Sequence, residues 1–98
     1  MLLKIGVTIE YLKRTIRRKL PVIDSVFLKR TGREAVITET RHGAHSSGSL
    51  HYSDEAVDIR LPETDQEGVV SDLMAYLGSD FDVIAERDHI HVEYDPKP

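Results

Sequence analysis

Five histidines fall in two clusters: His42, His45 and His51, then His89 and His91. Imidazole is the side chain that titrates near neutrality, and it is the commonest metal ligand. Asp58 lies between the clusters. Two imidazole nitrogens and one carboxylate oxygen suit zinc. Three protein ligands leave a fourth position open, which marks a catalytic rather than a structural site. Other divalent ions also suit such a set. The chain has no cysteine, which excludes thiolate sites and disulfides and leaves the redox compartment open.

The elements that must position these residues are legible from periodicity. Thr8 is read as the cap of a first helix reaching Leu20, with Ile9, Leu12, Ile16 and Leu20 at helical spacing. Pro21 stops that helix or opens the next. Val22, Val26 and Leu28 continue an apolar face to about Arg30, and Thr31-Gly32 is a stop. Ala35 to Thr38 is rich in β-branched residues and reads as a strand. Thr40 to Ser53 has no period, holds two glycines and four serines, and reads as a loop of functional length. Ala56 to Leu61 alternates as a strand. Gln66 to Leu77 is a helix with Val69, Leu73, Met74 and Leu77 on one face, ended by Gly78. Phe81 to Ala85 and His89 to Tyr94 are two strands joined by a tight turn at Glu86-Arg87-Asp88.

The predicted fold class is α+β: a small antiparallel sheet with helices packed on one face. Side chains alternate across a strand. Val57, Ile59 and Leu61 point one way, and Ala56, Asp58 and Arg60 the other. Ile90, Val92 and Tyr94 oppose His89, His91 and Glu93. With the apolar sets under the helices, Asp58, His89 and His91 share the open face. A merely polar outer face would explain either strand alone. It explains less well two such strands beside a histidine-rich Gly/Ser loop.

The whole chain narrows the classes. Its 98 residues make one domain, with a core from about residue 8 to 95. Hydrophobic content of 40% and charged content of 31% are those of an ordinary globular protein. A net charge of −4 argues against nucleic acid as partner. The basic stretch Lys13 to Lys19 reads as a solvated helix face. Apolar runs fall far short of the roughly 20 residues that span a bilayer, so no membrane partner is expected. Met1 to Lys4 does not open a secretory signal pattern, so synthesis in the cytoplasm is expected, with any action at a cell wall following release. A monomer is expected.

Two segments resemble a known family. Ser49-Leu50-His51-Tyr52-Ser53-Asp54-Glu55-Ala56-Val57-Asp58-Ile59 resembles the Ser-x-His-x-x-Gly-x-Ala-x-Asp motif of the zinc D-alanyl-D-alanine peptidases, in the Hedgehog/DD-peptidase superfamily. Asp88-His89-Ile90-His91-Val92-Glu93-Tyr94 resembles that family's second motif, His-x-His followed by an acidic residue. The motifs keep the family's order, and the resemblance covers residues 20–95. Thr38 to Arg41 sits where the family often has a strand ending near an arginine. One departure is Asp54 in place of the motif's glycine.

The resemblance implies a Hedgehog/DD-peptidase-like fold and a zinc peptidase acting on peptidoglycan stem peptides, of D,D-carboxypeptidase or endopeptidase type. The small size and missing signal suit a phage-encoded enzyme. It implies zinc ligands His51, Asp58 and His91. For the base the alternatives are His89, Asp88 and Glu86, with His89 first because imidazole titrates near neutrality. Asp88 has a bland reading as a turn residue. Arg41 would hold a substrate carboxylate or a developing oxyanion. Ser49, ahead of Ser46 and Ser47, would bind substrate backbone. His42 and His45 are a transient ligand or simply exposed. The rival expectation is a non-catalytic zinc-binding domain of the same fold, since the superfamily includes signalling domains that keep zinc without evident hydrolysis.

Overall fold

The structure is a computed structural model, and it describes residues 1–40 and 55–96. Its elements are β1 (Leu2–Leu3), α1 (Arg14–Arg17), α2 (Leu20–Thr31), β2 (Val36–Glu39), β3 (Ala56–Arg60), α3 (Gln66–Leu77), β4 (Phe81–Ala85) and β5 (His89–Tyr94). Residues 41–54 carry Arg41, His42, His45, Ser46, Ser47, Ser49, His51 and Asp54, so the expectations attached to those residues lie outside the described residues.

The helices end where local chemistry ends them. Pro21 occupies the first turn of α2, where a missing N–H costs no helical bond. It therefore opens a helix rather than closing one. At the far end Gly32 takes φ 74°, and its N–H returns to the Leu28 carbonyl. α3 spans the predicted residues and stops at Gly78, whose φ is 87°. Both helices present an apolar stripe: Leu20, Ile23, Val26 and Phe27 on α2, and Val69, Leu73 and Leu77 on α3. These stripes join Ile37, Val57, Ile59, Ile90 and Val92 in one buried cluster. The α+β class holds.

Three details depart from expectation. The sheet is mixed, in the order β1-β2-β3-β5-β4, because β1 pairs parallel to β2. Residues 4–35 supply the long crossover that parallel neighbours need. A two-residue strand leaves no readable alternation. Second, no helix starts at Thr8; α1 is a single turn. The Thr8 hydroxyl accepts from the Glu10 N–H at 3.1 Å. The Arg17 guanidinium donates to the carbonyls of Ile9, Glu10 and Leu12. Those carbonyls are satisfied without a helix. Third, Leu28 and Met74 are exposed, Met74 by 52%, and so stand off the apolar stripe. No helix among the described residues is long and apolar enough to cross a membrane.

Candidate metal and catalytic site

β3 and β5 are central, antiparallel neighbours, and their register builds the site. Val57 stands opposite Val92 and Ile59 opposite Ile90, all four fully buried against the helices. The intervening residues emerge on the second face in matched rows: Ala56 with Glu93, Asp58 with His91, and Arg60 with His89. On the other side of Asp58 stands Glu39 of β2, where the pairing shifts register between Ile37 and Glu39. Such an irregularity re-aims side chains beside it.

Asp58 is the hub. Its Oδ1 lies 2.8 Å from His91 Nδ1, and its Oδ2 lies 3.5 Å from His89 Nε2. The expected open face is more sheltered than alternation alone implies, since Asp58 is only 6% exposed. A carboxylate this buried requires partners, and the flanking imidazoles supply them. The far nitrogen of His91, Nε2, lies 2.5 Å from Glu93 Oε1. The His91 ring is therefore held between two carboxylates. Asp58 first, and Glu93 after it, push its pKa above the ordinary value, against the opposing pull of burial.

His89 is organised differently. Its Nδ1 lies 2.6 Å from Asp88 Oδ1, which leaves Nε2 turned toward Asp58. The hydrogen bond to His89 is the main cause holding the Asp88 carboxyl below its usual value. Asp88 is 86% exposed at the tip of the β4–β5 turn. Glu86 closes that turn through its backbone N–H, which donates to the His89 carbonyl at 2.8 Å. Its carboxylate makes no hydrogen bond or ion pair among the described residues.

Of the residues singled out in the sequence, Asp58, His89, His91 and Asp88 therefore come together, and Glu86 stands apart. Arg41, Ser49 and His51 lie outside the described residues. Alternation places Glu93 on this face but gives no sign that it is the second clamp on His91. The available signal is its position two residues beyond His91 on one strand. Alternation puts Arg60 on this face without a role, and nothing in the sequence singles out Lys4 or Glu39. All three line a cleft of ≈ 330 Å³ together with Asp58, Asp88 and His89.

Among the described residues, no group of three or more His, Asp or Glu side chains is arranged to hold a metal ion. Two of the three proposed ligands are described, and their donors lie 2.8 Å apart. Adjacent ligands of tetrahedral zinc sit about 3.3 Å apart, given bonds of roughly 2.0–2.1 Å. To share an ion the two donors would have to part by about half an ångström, and His91 would have to give up its Nδ1 proton. Glu93 also occupies the place of the carboxylate that commonly backs a metal-ligating histidine. An imidazole nitrogen and a carboxylate oxygen are donors of the kind zinc accepts.

No protein-family model matches the chain, and no curated protein matches it.

Proposed function

We propose that this chain is a zinc-dependent peptidase that hydrolyses peptidoglycan stem peptides, as a D,D-carboxypeptidase or an endopeptidase. The observation carrying the reading is the paired row Asp58–His91 with His89 one row along on the same face. The two family-like motifs supply His51 as the third ligand, and the Hedgehog/DD-peptidase fold is part of the same proposal. Zinc held by His51, Asp58 and His91 would polarise the scissile carbonyl and make water nucleophilic near neutral pH.

The chain's own residues divide the remaining work. Glu93 fixes the tautomer and tilt of the His91 ring. Asp88 accepts from Nδ1 of His89, leaving Nε2 to take a proton on the side facing Asp58. His89 is accordingly the base, Asp88 its orienting partner, and Glu86 a turn residue. The hydrogen bond between Asp88 and His89 is the support for choosing His89 over the other two. Arg41 and Ser49 remain the substrate contacts that the motif implies.

The test is cleavage of purified muropeptides by the zinc-loaded chain. His89→Ala should retain one zinc and lose ~100-fold or more in rate, the usual size of a general-base contribution. Asp88→Asn should lose less. Full activity in His89→Ala would remove it as base. An unaltered chain that binds zinc but leaves both D-Ala-D-Ala and L-Ala-D-Glu bonds intact would instead favour the non-catalytic zinc-binding module.

A further inference from the structure

Beyond the Asp58–His89–His91 cluster, the cleft of ≈ 330 Å³ beside it carries two cations, Lys4 and Arg60. Its carboxylates are engaged: Asp58 with two imidazoles, Asp88 with His89, and Glu39 in an interaction of its own. The side chains of Lys4 and Arg60 have no hydrogen bond or ion pair among the described residues. The charged side chains of this cleft that have no partner among the described residues are therefore the two positive ones.

Their placement is fixed by backbone pairing. Arg60 stands opposite His89 and two residues from Asp58, about 7 Å along the strand. The Lys4 N–H donates to the Ile37 carbonyl at 2.9 Å, which seats Lys4 beyond β2 on the same cleft. Arginine presents a planar fork that matches a carboxylate, and lysine adds a mobile point charge. An extended peptide advances roughly 3.3–3.6 Å per residue. A carboxylate held at Arg60 then lies one or two residues from a bond placed over Asp58 and His91.

We propose that Arg60 and Lys4 form a carboxylate-binding subsite that selects peptides ending within two residues of the reacting bond. This rests on the peptidase reading for the kind of ligand, and it decides between the two types left open there in favour of a carboxypeptidase.

The test measures binding of N-acetyl-D-alanyl-D-alanine and of its C-terminal amide to the full chain, with and without zinc, by NMR titration at fixed salt. The unaltered chain should bind the acid ~10-fold more tightly than the amide, the scale of one charge-assisted bidentate contact. Arg60→Ala should bring the acid to the level of the amide without changing the amide. Arg60→Lys should restore part of the preference, and Lys4→Ala should remove a smaller part. Circular dichroism checks that each variant is folded. Equal binding of acid and amide by the unaltered chain, or a preference that survives in Arg60→Ala, overturns the subsite even if muropeptides are cleaved. A preference that depends on Arg60 in a chain with no hydrolysis leaves the subsite standing and removes the peptidase reading.

Discussion

The two faces of β3 and β5 are built from alternate residues of the same strands, yet they follow opposite rules. On one face Val57, Ile59, Ile90 and Val92 are fully buried in the hydrophobic cluster. On the other, Asp58, His89, His91 and Glu93 form a chain of charge-assisted contacts. The first face gains from removing apolar area from water and tolerates no hole. The second gains little net stability, because desolvating Asp58 offsets much of what its partners return. Stability and chemistry are separated by a single step along the strand, and the apolar face holds the polar one in place.

The comparison is broken most strongly from the apolar side. Ile59→Ala should cost about 3 kcal/mol, seen as a melting temperature lowered by roughly 12–24 °C. The polar network should loosen with it, because Ile59 and Asp58 are adjacent on one strand. A loss under about 1 kcal/mol in denaturant unfolding would mean that the helices do not clamp this face.

From the polar side, Glu93→Gln should leave the melting curve nearly unchanged and weaken zinc binding 10–100-fold, as expected for the partner behind a metal-ligating histidine. Unaltered zinc affinity would show that Glu93 does not support His91.

A gentler probe is pH. In the metal-free chain the folded-state pKa of His91 is raised above the ordinary 6.5. The stability it contributes is then fully present below about pH 6.5 and lost as pH rises through the raised value. Titration of the His91 ring by NMR should give a midpoint above 6.5 that falls in Glu93→Gln. Zinc should bind more tightly over the same rise in pH, because a proton competes for the ligand nitrogen.

The smallest effect belongs to the surface pair of Arg30 and Asp72, 2.7 Å apart. The hydrogen bond to Arg30 holds the Asp72 carboxyl below its ordinary 3.8. Its small contribution is therefore present above that pH and lost as pH falls through the lowered value. Asp72→Asn should shift unfolding slightly, and added salt should erase the difference.

Much of this was legible in the sequence. α3 and the strands β4 and β5 are read to the residue, because their periods are long or bounded by Gly78 and by the Glu86–Asp88 turn. The shared face of Asp58, His89 and His91 follows from alternation alone. Segments governed by single side-chain contacts were not legible. The stretch after Thr8 carries helical spacing, but Arg17 takes its carbonyls from five to eight residues away. β1 is too short to alternate and exists only because β2 accepts it. The site was half legible for a similar reason. Strand alternation gives a face, while the contact of Asp58 with His91, 33 residues apart, and the cleft that gathers Lys4 with Arg60, arise only when distant strands meet.

In the proposed function, the polar face of β3 and β5 holds a metal ion through Asp58 and His91. Zinc content per chain after loading and desalting, measured by atomic emission, tests it directly. One zinc is expected in the unaltered chain and none in folded Asp58→Ala or His91→Ala. One zinc retained by both variants, or none in the unaltered chain, would contradict it.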